Sequence, residues 1–262
     1  MSERQPRAAG VGARAGSWIV ICFLLLPLTI VFPISVTDQN FLSLPVDGVS
    51  LRHYANLFSS TAWLSSIGQS LVIALSSMAI SVTAGTLCAI GCWRRGSRAS
   101  EAIRVLMLVP LIVPSIVYAL GLYRLWIQLR LLDTYTGIII AHAVTAIPYV
   151  IIIVSTALAG VDVRLEQAAR NLGANLRQTL WMVLIPNILP AIVSSAIFAF
   201  IHSWDEAVIV LFIAGRNMFT LPRRMWDGIN DKLDPTMAAV AAVLIVLTAA
   251  LLLVDLLLKR RR

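Results

Sequence analysis

The chain has 262 residues, of which 59% are hydrophobic and 13% charged, with a mean hydropathy of +0.86. A soluble domain carries about 25% charged residues, so a soluble globule is excluded. The formal charge of +8 builds no basic face with interleaved aromatics, which excludes nucleic-acid binding; most of the Lys and Arg flank apolar runs instead. The three cysteines, Cys22, Cys88 and Cys92, fall inside those runs and read as small packing residues, not as a disulfide framework.

Between the charged residues lie long uncharged stretches at Ala15–Thr37, His53–Trp93, Val105–Tyr123, Thr134–Val161, Gln178–Trp204 and Pro235–Val254. Each reaches or approaches the ~20 residues that cross a bilayer core as a helix. The second stretch starts polar and Ser-rich and turns continuously apolar only from Ile67. The expectation is an all-α, polytopic membrane protein with six transmembrane helices, at about 17–37, 67–93, 103–126, 134–158, 187–213 and 236–258. These form one domain over 17–258, between an N-terminal tail at 1–16 and a basic tail at 259–262.

With the N-terminus placed in the cytoplasm, 14 Lys and Arg fall on inside segments and 7 on outside ones. The positive-inside bias therefore predicts that both termini are cytoplasmic. A basic start followed by an apolar run also resembles a secretory signal. The run is long for that role and PISVTDQN offers no clear small-x-small cleavage site, so an uncleaved anchor is expected.

The loops are unequal. The outside segment 38–66 holds turn-forming Pro45, Asp47 and Gly48 and room for a short amphipathic helix at His53–Phe58. The inside loop 160–186 is charged and rich in helix formers. Leu165, Ala168, Ala169 and Leu172 stand at i, i+3, i+4 and i+7, one apolar helix face. Gly173 stops that helix, because glycine takes the positive φ of a C′ position without a Cβ penalty. Asn175 caps a second helix, and Pro186 marks the bend into the fifth span. An apolar stripe on a cytoplasmic loop suits a partner's groove.

No enzyme constellation is present: no G-x-x-x-x-G-K-[ST], H-E-x-x-H, C-x-x-C or G-x-S-x-G occurs. His53, His142 and His202 are spread over a loop and two separate spans, so no shared metal site is expected. Transport through this chain would draw its energy from elsewhere.

The inside loop resembles the EAA loop of permease subunits of binding-protein-dependent ABC importers, in which E-A-A, three residues, G, nine residues and I-x-L-P follow one another. Here those positions are Gln167, Ala168, Ala169, Gly173, Val183, Ile185 and Pro186, with matching spacing. Gln167 replaces the glutamate, with Glu166 one position earlier, and Val183 and Ile185 are apolar exchanges. The segments S-W-D-E-A-V-I-V-L-F-I-A-G, T-L-P, M-W-D-G-I and D-P-T-M-A-A-V-A-A within Ser203–Ala242, and S-L-R-H-Y-A-N-L-F at Ser50–Phe58, are similar to the second permease subunit of spermidine/putrescine importers.

The resemblance implies a MetI-like permease fold in a bacterial inner membrane. It also implies a heterodimer with a homologous permease, two copies of a cytoplasmic ATPase that carries the ATP and Mg, and an extracytoplasmic solute-binding protein. The chain itself would bind no cofactor. An ion-coupled secondary transporter is the rival class; it predicts charged pairs at mid-membrane in several spans. In this chain Asp205 and Glu206 are essentially the one such pair. On a helix entered at Asn187 they would lie ~27–29 Å along it, near the outer mouth. Intramembrane carboxylates face a water-filled path or a partner, and neighbouring Trp204 can offer a ring face to an ammonium group. A small organic cation such as a polyamine is the expected solute, with other small organic or amino-acid-like ions as the alternative. The bland reading of these three residues is an outer-interface anchor; for Tyr118, Tyr123, Trp126 and Tyr149 an aromatic belt is preferred.

Overall fold

The computed structural model describes residues 7–215, 217–231 and 234–260, with side chains for all of these except 7–13, 231 and 258–260. Parts of the N-terminal tail 1–16 and the basic tail 259–262, and the basic residues Arg216 and Lys232, lie outside the described residues. The described chain is helical, with a lone antiparallel bridge between Thr37 and Val49.

In chain order the helices are α1 (Arg7–Thr29), α2 (Val31–Ser35), α3 (Arg52–Ser59), α4 (Thr61–Arg95), α5 (Arg98–Ile112), α6 (Ser115–Leu129), α7 (Tyr135–Ala159), α8 (Val163–Asn171) and α9 (Leu176–Gln178). A π-helical segment (Thr179–Leu184), α10 (Ile185–Asp205), α11 (Val208–Ile213), α12 (Leu221–Asp231) and α13 (Thr236–Arg260) complete the chain. By length and composition five helical stretches can cross a membrane, or six if the bent pair α5 and α6 is one span.

That pair covers the span expected at 103–126 but is not one continuous helix: the chain bends by 103° between α5 and α6. The break lies at Val113 and Pro114. A residue before proline is pushed out of the α region, and Val113 accordingly sits at ψ 124. The fifth span is also redrawn. Pro186 stands in the first turn of α10 but marks no break, because Leu176–Asp205 is one 30-residue helical run. The wide π turn just before Pro186 changes the register where its ring would otherwise meet a preceding carbonyl. Asn187 Nδ2 donates to the Val183 carbonyl at 2.8 Å. The run ends at Asp205, and α11 is a separate short helix, so 187–213 is not one helix.

The chain divides into two compact units. In the smaller, residues 1–61 with 228–247, the bridge and a Ser50 N–H to Val36 carbonyl bond of 2.9 Å fold the outside segment on itself. Tyr54 shares a 2.8 Å hydrogen bond with Ser35, and Asn56 Nδ2 donates to Thr236 Oγ1 at 2.9 Å.

The larger unit, residues 62–227 with 248–262, is built around α7, whose Ile138, Ala141, Ala146, Val150, Val154 and Leu158 are fully buried. Its N-terminal half packs with Ile73, Trp126, Ile209, Val210 and Ile213; its C-terminal half packs with Ala89, Ile90, Leu184, Ile188 and Ala199. Small residues bring the backbones together, the usual device where lipid supplies no hydrophobic drive between helices. A Cβ on Gly85 of α4 would stand 2.8 Å from Val150 of α7, and Ser77 Oγ of α4 donates to the Ile139 carbonyl of α7 at 3.1 Å. Trp126 is likewise no belt residue: it is buried, and its Nε1 donates to the Gly137 carbonyl at 3.0 Å.

Candidate functional site

The loop 160–186 builds its shape from local chemistry. Asp162 accepts a hydrogen bond from the Arg164 N–H at 2.9 Å and so caps the start of α8. At the other end Gly173 has φ +88. Its N–H reaches the Arg170 carbonyl at 2.9 Å, and the Ala174 N–H reaches the Ala169 carbonyl at 3.0 Å. This double bond is a Schellman stop. Asn175 and Gln178 then exchange hydrogen bonds of 2.9 and 2.8 Å, a capping box that opens α9.

None of the α8 residues is buried. Leu165, Ala168 and Leu172 of the apolar stripe are exposed, Leu172 at 89%, with Ala169 half-buried, and Gln167 is also exposed. Glu166 points elsewhere: its carboxylate takes Arg94 Nη2 of α4 at 2.7 Å and Arg170 Nη2 at 3.2 Å. Trp93, Arg94, Val163, Glu166, Gln167 and Arg170 line a cleft of about 360 Å³ there. Farther along, Val183 closes the π segment with Leu184, while Ile185 and exposed Pro186 begin α10. The motif therefore runs across three helical pieces, with the Schellman turn as its corner.

At the other end of α10 the three residues of the expected solute path separate. Trp204 is 5% exposed and its ring stacks on Phe200 with centroids 5.5 Å apart, so it is packed rather than displayed. Asp205, the last residue of α10, is exposed and makes no hydrogen bond or ion pair among the described residues. Glu206 has left the helix, with ψ 112, and its Oε1 accepts from the Ile209 N–H at 3.1 Å at the start of α11. The 100° relation expected between neighbours on one helix therefore does not hold. A carboxylate opposes the negative end of a helix dipole, so Asp205 is placed where local electrostatics disfavours it.

Two polar features escaped the sequence. His142 and His202, far apart in the chain, are neighbours across α7 and α10: His142 Nδ1 pairs with Ser203 Oγ at 2.9 Å, and His202 Nε2 pairs with Thr145 Oγ1 at 3.0 Å. Tyr149 lies against the His202 ring at 5.0 Å. His142 Nε2 and Trp204 Nε1 are buried without a hydrogen-bond partner among the described residues. No group of three or more metal-ligating side chains occurs among the described residues. The second feature is Asp255 of α13, 4% exposed and hydrogen-bonded by Ser194 of α10. Its one signal in the sequence is a lone acid at the end of the last apolar run.

Comparison with known proteins bears on this architecture. The chain is 28% identical to the spermidine/putrescine transport system permease protein PotC of Haemophilus influenzae, over 93% of this chain and 95% of that protein. It is also 28% identical to the putrescine transport system permease protein PotI of Escherichia coli, over 85% and 82%. Among solved structures, a bacterial ABC transporter that imports alginate aligns at a TM-score of 0.71 with 18% identity, covering 99% of both chains. The MetNI methionine ABC transporter aligns at 0.63 with 16% identity, covering 75% of this chain and 94% of the other. These two likenesses speak for the MetI-like fold. Residues 81–262 match the binding-protein-dependent transport system inner membrane component family, and the chain belongs to it as a multi-pass membrane permease subunit.

Proposed function

We propose that this chain is one of two homologous permease subunits of an ATP-driven importer that takes up polyamines delivered by an extracytoplasmic binding protein. The loop carries this reading: α8 buries none of its residues, exposes an apolar stripe, and ends at a fixed turn on the face that the basic residues assign to the cytoplasm. Such a surface fits a groove on a cytoplasmic ATPase, with Gln167, Ala168, Ala169 and Gly173 at the contact and Val183, Ile185 and Pro186 joining it to α10. ATP and Mg belong to that partner. Closure of the ATPase dimer would move the loop and rock the spans between inward-facing and outward-facing states. The names of the PotC and PotI relatives support a polyamine as the solute.

In this reading both termini are cytoplasmic, in a bacterial inner membrane, and Asp205, with Trp204 and Glu206 beside it, lines the outer part of the path. A polycation leaving water is favoured by fixed negative charge, and an acid held at the negative end of a helix dipole serves something other than local stability. The test is uptake of labelled spermidine or putrescine by proteoliposomes holding both permeases, the ATPase and the binding protein. Uptake that needs ATP and the binding protein is expected; uptake driven by an ion gradient without ATP would overturn the class, and a binding protein that ignores polyamines would overturn the solute. For topology, a cysteine at Asp47 should react with an impermeant reagent from outside, and one at Asn171 should not.

A further inference from the structure

Helix α8 has no buried residue, and of its apolar stripe Ala169 alone is half-buried, so little apolar packing fixes it against the rest of the larger unit. What ties its middle is polar. Glu166, the one acid on α8, is 17% exposed and meets Arg94, 20% exposed, at 2.7 Å. Arg94 stands in the last turn of α4, where a cation also complements the helix dipole. Its Nη1 is buried without a hydrogen-bond partner among the described residues, so taking away Glu166 would leave a sheltered guanidinium poorly satisfied. Arg170 adds a second contact to Glu166 from a side chain that is 52% exposed, a position where ion pairs contribute little.

The carboxylate sits one residue before the position where the resembled loops carry it. One residue on a helix is a rotation of about 100°. Glu166 is thereby turned to α4, while Gln167, on the outer face, is neutral. The carboxylate is used inside this subunit.

We propose that Arg94 and Glu166 form the joint through which a displacement of α8 is carried into α4, making both positioning residues for coupled transport. This rests on the reading that α8 docks the ATPase. The chain is long and direct: α4 is a single 35-residue helix whose Gly85 and Ser77 touch α7, so a pull at Arg94 reaches the centre of the larger unit.

The test is transport per ATP hydrolysed in the reconstituted complex for Arg94→Met, Glu166→Gln, the double variant and Arg94→Lys. ATPase copurification and a crosslink from Gln167→Cys to the ATPase are read alongside. If the joint exists, each single variant lowers the transport ratio at least about fivefold while the ATPase still copurifies. The double variant is no worse than the singles, because both remove one interaction. Arg94→Lys, which keeps the charge, retains most of the ratio. An unchanged ratio, losses that multiply in the double variant, or a lysine no better than methionine overturns the joint. Loss of the ATPase from Glu166→Gln alone also overturns it, since Glu166 would then act at the partner's surface. Failure of the underlying docking reading appears separately, as absence of the Gln167→Cys crosslink in an otherwise unaltered complex.

Discussion

The two ends of the helical run Leu176–Asp205 are organised on opposite principles. At the N-terminal end, the capping side chains serve their own backbone: Asp162, Asn175 and Gln178 cap helix ends within three residues of themselves, and Gly173 supplies the turn. At the C-terminal end, polar side chains pair across helices, His142 with Ser203, His202 with Thr145, at separations of about sixty residues. The first arrangement leaves a surface whose shape is fixed and whose apolar stripe is free. The second pairs part of its polar groups in the interior, with His142 Nε2 and Trp204 Nε1 buried without a partner among the described residues, and leaves Asp205 exposed. A surface built from local bonds keeps its shape when its neighbours move, which is what the proposed docking element requires.

The sharpest way to break this contrast is at Gly173. A Cβ there meets nothing within 4 Å, so a substitution acts through φ +88 alone. The left-handed region costs a β-branched residue upwards of ~1–2 kcal/mol. Gly173→Val should lower ATP-coupled uptake roughly tenfold or more with the spans still inserted, while Gly173→Asn, which tolerates that region, should stay near normal. Equal uptake by the valine variant would remove the turn from the coupling path.

In the interior the limiting factor is space instead of backbone angle. Gly85→Leu would drive a side chain into Val150, 2.8 Å from the new Cβ, with an overpacking cost of about 1–3 kcal/mol or more. The yield of assembled complex in detergent should fall several-fold, and Gly85→Ala should be rescued by Val150→Ala. A Gly85→Leu variant that assembles normally would show that α4 and α7 can separate freely.

Asp205 and Glu206 sharpen the comparison at the C-terminal end of the run. Asp205→Asn removes a charge that caps nothing, whereas Glu206→Gln keeps an oxygen that can still accept from the Ile209 N–H. Both should leave the fold and the ATPase in place. Polyamine uptake should fall more in Asp205→Asn, by about threefold, since a few tenths to 1 kcal/mol is the usual scale of a partly exposed charge. Unchanged uptake in both variants would remove them from the path.

The smallest effect is expected at Ser194. Losing its hydrogen bond to Asp255 should cost about 0.6 kcal/mol, the usual size for a polar contact between membrane helices. Ser194→Ala should lower the melting temperature of the purified complex slightly, and Asp255→Asn, which keeps hydrogen-bonding capacity, should lower it no more. A large drop in the serine variant would make this contact a main support of α13.

The sequence by itself determined what depends on neighbours in the chain. The apolar stretches, the helix just before Gly173, the stop at that glycine and the cap at Asn175 follow from periodicity and from the φ and hydrogen-bonding habits of single residues, and the structure has them. Proline was only half legible. Pro114 breaks its span while Pro186 sits in an unbroken run, because a π turn at Thr179–Leu184 absorbs the second and nothing absorbs the first. What only the tertiary structure decided is which way side chains point and what meets them: Glu166 on Arg94, Trp204 under Phe200, His142 beside His202, Asp255 on Ser194. In a membrane the polar groups of one span are satisfied by other spans, and no pattern along a single chain records which helix will stand opposite.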